Sequence, residues 1–309
     1  MQRKISTKAI VEGALLLGIL VILSILTYVP PFSLFSFILL PTPILFAVFR
    51  HNLKVATMIG FLSVITLIIV GIDPISSLIN GIYASFIGLA LGYGFVKKLK
   101  PTMTLIITTA SLLTAILLIA FLYTTFLEYN IVEEILDLQV QLLESIAERI
   151  QETRPPVEEQ GDRELFIALT REEIRYIFPG LLVLAATINS FFTIGLTRII
   201  LKKFKIETQP FPKFSHWRFG DWLIWTFVAA QLLPIFLPQT KQIAYNVTQV
   251  ALYGIILQGL AVIYYKISEK IRYAAIKVII ILIILFIPIL QSIAMFIGII
   301  DFFWNFRRI

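Results

Sequence analysis

Cysteine is absent from the 309 residues, which excludes disulfides, thiolate nucleophiles and thiolate-bound metals. Histidine occurs only as His51 and His216. Both sit in basic turns with no carboxylate at ligand spacing, so both are expected to be solvated or to face headgroups, with no metal site. Charged residues make up only 15%, against about 25% in soluble domains. The sequence also lacks a G-x-x-x-x-G-K-[ST] phosphate loop, an H-E-x-x-H pair and a G-x-S-x-G elbow. Each of those places a phosphate cradle, a metal or a nucleophile at fixed spacing. The chain therefore reads as a non-enzyme without a cofactor, unable to hydrolyse ATP by the phosphate-loop route.

Apolar sequence is what the chain has in abundance: 58% of residues are hydrophobic and the mean hydropathy is +0.90. A membrane span needs about 20 mostly apolar residues, because backbone polar groups in lipid must be satisfied within the helix. The fold class is thus all-α, a polytopic membrane protein with about 8–10 transmembrane segments. Span 1 runs from Ala9 to Tyr28. No small-x-small cleavage site precedes Pro30-Pro31, so it reads as a retained first helix rather than a cleaved signal. Spans 2 to 6 follow over 34–49, 55–72, 77–96, 103–127 and 178–199, then spans 7 and 8 over 221–237 and 245–265. The stretch 274–306 is too long for one upright helix, and is expected to form a short hairpin broken near Pro288 or a steeply tilted, kinked span.

The net charge of +7 is unevenly spread. Residues 128–175 hold 13 of the 19 acidic and 5 of the 26 basic residues, a balance of 5 − 13 = −8. The remaining 21 basic and 6 acidic residues leave +15, gathered in short turns such as Lys97-Lys98-Leu99-Lys100. That distribution follows the positive-inside bias and points to no nucleic-acid partner. With Arg3, Lys4 and Lys8 it predicts a bacterial plasma-membrane protein, multi-pass, N-terminus cytoplasmic, with the acidic insert outside. Within the insert Ile131, Ile135, Leu138, Leu142, Ile146 and Ile150 recur at helical spacing, which predicts an amphipathic helix ended by Pro155-Pro156, then a turn at Gln160-Gly161-Asp162. Two modules are expected: 1–205, with six spans and the insert, and 206–309.

Polar residues within spans are costly and mark candidate sites. Glu12 is expected to pair with Lys8 or snorkel to the interface, and Asp221 to cap a helix. Asp301 reads as a membrane-edge acid, with Arg307 beyond the i, i+4 reach of one helix. Asp73, Asn80, Tyr83, Tyr123 and Tyr176 fall near the outer ends of spans, with Tyr28 beside them and Asn189 deeper. Such a set suits a small-molecule pocket; the alternative is an interfacial aromatic belt, which enriches Tyr at this depth without a ligand. Ala9-x-x-x-Gly13 and Ala14-x-x-x-Gly18 allow close helix packing along span 1. Asn246-Val247-Thr248 matches a glycosylation sequon at the start of a span.

Three segments carry a family resemblance: the span-1 run Glu12-Gly13-Ala14-Leu15-Leu16-Leu17-Gly18 with its Pro30-Pro31 turn, the run Leu40-Pro41-Thr42-Pro43-Ile44, and Gly298 to Arg308. They resemble the YybS-like group of uncharacterised bacterial membrane proteins. The first six spans also look like the substrate-binding S component of energy-coupling-factor vitamin transporters. That likeness implies a solute site near the outer face, small residues of helix 1 (here Ala9, Gly13, Ala14 and Gly18) against a coupling subunit, and separate ATPases. Glu12, the acidic insert and the chain after about residue 206 depart from that pattern.

Overall fold

The computed structural model describes residues 6–127, 130, 133–139, 141–142, 145 and 160–307, without the side chains of 160–173. Every regular element among them is helical. Among the described residues, and besides a helical stretch at 133–139, eleven α-helices carry the fold: α1 (Thr7–Leu26), α2 (Ser33–Leu39), α3 (Thr42–Arg50), α4 (Leu53–Ile69), α5 (Pro74–Val96), α6 (Pro101–Leu127), α7 (Gln160–Lys203), α8 (Trp222–Phe236), α9 (Lys241–Lys270), α10 (Ala274–Phe286) and α11 (Pro288–Trp304). Six helices or helix pairs are long and apolar enough to cross a membrane, and α10 with α11 form a further bent pair. The apolar α4 and α8 have 17 and 15 residues, about 26 and 23 Å at 1.5 Å per residue, short against a hydrocarbon core of about 30 Å. Among the described residues, length and composition thus support six spans, or seven if the bent pair is one, with α4 and α8 as shorter apolar helices beside them.

Starts and stops follow local chemistry. The Ser6, Asn52 and Asp73 side chains accept from the Ala9, Val55 and Ser76 amides at 3.2, 3.0 and 2.8 Å, capping α1, α4 and α5. Pro74 and Pro101 open their helices, where a missing N–H costs nothing. The expected second span is not one helix: it breaks into α2 and α3 at Leu40-Pro41, because Pro41 cannot donate to the ladder. The expected turn at Gln160-Gly161-Asp162 is instead the first turn of α7. Of the insert helix, 133–139 are helical, but Leu136 is the buried residue while Ile135, Leu138 and Leu142 are exposed. Ile131, Ile146, Ile150 and Pro155-Pro156 lie outside the described residues.

The chain divides into two compact units. The first comprises 1–135 and 185–210, the second 136–184 and 211–309. In the first, α3 is the core element, with Ile44, Leu45 and Ala47 fully buried. α5 lies against it through Gly88, where a Cβ would stand 2.7 Å from the Pro41 carbonyl oxygen; only glycine allows that approach. In the second unit α9 and α11 meet backbone to backbone. A Cβ on Gly259 would lie 1.8 Å from the Ala294 oxygen, and one on Gly298 2.2 Å from the Ile255 oxygen. Leu260, Ala294 and Ile256 close one side of that crossing, and Ile255, Phe302 and Leu223 the other.

α10 and α11 are bent by 103° at Ile287, one residue before Pro288. The Gln291 amide donates to the Leu285 carbonyl at the break, satisfying an acceptor at the helix end. One end of this stretch binds the 211–219 segment directly, and the other lies over an α9 ring that packs on it. Lys277 lies 5.3 Å over the Tyr264 ring, which packs on Phe214 at 5.5 Å, while Arg307 donates to the carbonyls of Ser215 and Trp217 at 2.9 Å each.

Candidate functional site

In the first unit four helices bring the expected pocket residues together. Asn80 on α5 is buried and donates to the Tyr28 hydroxyl at the end of α1, at 3.2 Å. One turn further, Tyr83 donates to Asn189 Oδ1 on α7 at 3.0 Å, and the same oxygen accepts from Thr193 at 3.5 Å. Phe37 of α2 stacks on Tyr83 with ring centroids 4.0 Å apart. Tyr123 on α6 lies within electrostatic reach of Asp73 and Tyr28. The cluster grades from exposed Asp73 to Tyr83, only 3% exposed. The Ser76 backbone and side chain hold the Asp73 carboxyl below the usual carboxylate range, so it is anionic at neutral pH. Tyr176 belongs to the second unit, where its carbonyl accepts from Asn246 at 2.8 Å. A surface groove of about 530 Å³ along α4, lined by Lys54, Thr57, Met58, Phe61 and Leu62, contains none of these residues.

The small residues of α1 divide. Ala9 and Gly13 are buried, with Ile59 of α4 at 3.6 Å from a Gly13 Cβ position, whereas Ala14 and Gly18 are exposed and nothing lies within 4 Å of a Cβ on Gly18. Glu12 is held not by Lys8 but across helices: its carboxylate oxygens lie 3.4 Å from Arg50 Nη1 and 3.0 Å from His51 Nε2. His51 is consequently packed against α1, with its side chain 10% exposed, rather than solvated.

The second unit contains a polar centre that spacing along one helix conceals. Asp301 and Arg307 form an ion pair at 2.8 Å, with both side chains fully buried. Asn305 adopts the left-handed conformation (φ 42°, ψ 61°) and ends α11, which turns Arg307 back onto the acid six residues earlier. Gln258 of α9 donates to the same carboxylate at 3.1 Å and accepts from the Phe219 amide at 3.0 Å. The Phe306 amide donates to the other oxygen at 3.1 Å. Both carboxylate oxygens and both terminal guanidinium nitrogens are thus engaged, while the buried Arg307 Nε has no partner among the described residues. Asn246, the sequon residue, is also engaged. Its carbonyl accepts from the Gly180 amide and its NH2 donates to Tyr176 and Gln242 carbonyls. One turn of α7 next to Pro179 thereby closes through an α9 side chain.

Among the described residues no three His, Asp or Glu side chains converge to hold a metal ion. Residues 17–302 match the family described as "Predicted membrane protein (DUF2232)". The chain is 25% identical over 312 residues to the uncharacterized protein YybS of Bacillus subtilis (strain 168), covering 98% of both. No solved structure matches.

Proposed function

The chain belongs to the DUF2232 family of membrane proteins, and on that premise we propose that its first unit binds a small solute at the outer end of the bundle. We further assign this to the solute-capturing part of a transport system in the cell membrane, energised by a separate ATPase through a coupling subunit. The observation that carries the reading is the inward pairing of Tyr83 with Asn189. An interfacial-belt tyrosine turns its hydroxyl to the headgroups; Tyr83 is buried and hydrogen-bonded between helices. An amide on each of two helices, a stacked Phe37 wall and an anionic Asp73 at the exposed end suit a flat, hydrogen-bonding solute, neutral or cationic. The outward direction of Asp73 rests on the basic turns at the opposite ends of these helices. The exposed Ala14–Gly18 face of α1 gives a coupling subunit room to pack closely.

The test is affinity purification from native membranes in mild detergent, with mass spectrometry of retained small molecules and proteins. The expected result is one enriched solute, with or without ATPases, lost in N80L and N189L, each weakening binding tenfold or more (about 1.4 kcal/mol). Solute retention unchanged in both variants would overturn the pocket. An unrelated membrane protein recovered without solute would point instead to a docking or scaffold role through α1.

A further inference from the structure

One end of the second unit carries six cations. Lys266 and Lys270 close α9, Arg272 lies in the link to α10, and Lys277 is in the first turns of α10. The 211–219 segment adds Lys213 and Arg218. Against these six the same elements hold two acids, Asp221 and Glu269, the latter 3.5 Å from Lys266. Five of the cations are exposed, and Lys277 is half-buried.

The segment and two of the cations, Lys266 and Lys277, are held by specific contacts. Arg307 binds the Ser215 and Trp217 carbonyls, Gln258 binds the Phe219 amide, and Phe214 packs edge-on to Tyr264 at 5.5 Å and Trp217 at 5.2 Å. Lys277 stands 5.3 Å over the Tyr264 ring and Lys266 5.6 Å over Tyr265. Aromatic rings carrying ammonium groups above an apolar helix bundle match the layering of a membrane interface: acyl chains, ring level, then phosphate. Positive-inside sorting alone requires only that basic residues be present. It does not require that two of them lie over α9 rings, one of which packs against a segment pinned by Arg307.

We propose that this basic, aromatic end of the second unit is a binding site for the phosphate headgroups of anionic phospholipids. Juxtamembrane groups of four to eight Lys or Arg attract anionic lipid surfaces, and holding Lys266 and Lys277 over rings lowers the side-chain entropy lost on binding. The site is independent of the first-unit solute reading.

The experiment is a thermal-unfolding series on the full chain in zwitterionic detergent, with phosphatidylglycerol, phosphatidylcholine or inorganic phosphate added. Phosphatidylglycerol is expected to raise the midpoint by several degrees, with little effect from phosphatidylcholine or inorganic phosphate. The variant K266Q/K270Q/R272Q/K277Q should lose at least half of that rise. The control K97Q/K98Q/K100Q neutralises an equally basic turn of the first unit and should keep it. No rise with phosphatidylglycerol, an equal rise with phosphatidylcholine or free phosphate, or equal loss in both variants would overturn the proposal. If the quadruple variant is not monodisperse, K270Q/R272Q, which alters two exposed side chains, supplies the same comparison.

Discussion

Asp301–Arg307 and Glu12–Arg50 are both acid–guanidinium pairs, yet they should behave very differently when broken. The first is fully buried and embedded in four further hydrogen bonds; removing one partner strands a charge and a set of polar groups. D301N and R307Q are each expected to cost about 3–5 kcal/mol, and the double variant clearly less than their sum. Thermal melts of the three purified variants check this; additive losses would refute it. Glu12–Arg50 is at 3.4 Å with the Arg50 side chain 52% exposed, so solvent screens it, and E12Q should cost less than about 1 kcal/mol. Residue spacing exposed the polar identity of these positions but not their partners. Arg307 reaches Asp301 only because Asn305 leaves the helical conformation, a backbone event that i, i+4 counting cannot register. Glu12 reaches across to α3, 38 residues on, in preference to Lys8 on its own helix. Asn80, Tyr83 and Asn189 were legible because a polar group inside an apolar run is conspicuous whatever it contacts.

Among the elements, α7 is the one whose continuity depends on another helix. Pro179 lies inside it and removes one ladder hydrogen bond. Next to it Asn246 spans the Gly180 amide and the Tyr176 carbonyl, which would otherwise bond to each other. N246L leaves both unmet in an apolar setting and should cost about 1–3 kcal/mol. P179A allows α7 to close its own ladder, so N246L is expected to cost markedly less in the P179A background. A double-mutant thermal cycle measures the coupling, and zero coupling would sink the bridging role. Pro179 is plain in the sequence; its remedy lies 67 residues away and is not. Glycine tells a similar story. The Ala/Gly pairs of α1 stood out, but Gly88-x-x-x-Gly92 on α5 has the same spacing and makes the tighter packing, with Val48 at 2.6 Å from a Gly92 Cβ position. Spacing identifies helices that allow close approach, and the neighbours decide which use it. G259A, whose Cβ would meet the Ala294 oxygen at 1.8 Å, should destabilise by about 3 kcal/mol or more, and a near-neutral thermal midpoint would show that α9 and α11 separate easily.

For the whole molecule, the apolar runs fixed the class and nearly every helix, because a backbone in lipid has no alternative to the helix. They could not fix the path of 274–304, where length alone permits either a crossing or a return. Arg307 at one end binds the Ser215 and Trp217 carbonyls, and Lys277 at the other lies over Tyr264, which packs on Phe214, so a pair that returns is the expected path. The turns at 97–100 and 266–272 are basic whereas Asp73 and Gln239 sit at turns of the opposite kind, and the positive-inside bias predicts opposite sides of the membrane for the two sets. A cysteine-free chain makes this directly measurable. Single cysteines I75C and Q239C should react with a membrane-impermeant maleimide on intact cells. K100C, K213C and a cysteine appended after Ile309 should react only after permeabilisation. The appended cysteine is the decisive one: labelling with the K213C group follows from an α10–α11 pair that re-enters. Labelling with Q239C would mean that the pair crosses once, and that the Arg307 clamp on Ser215 and Trp217 does not form in the membrane.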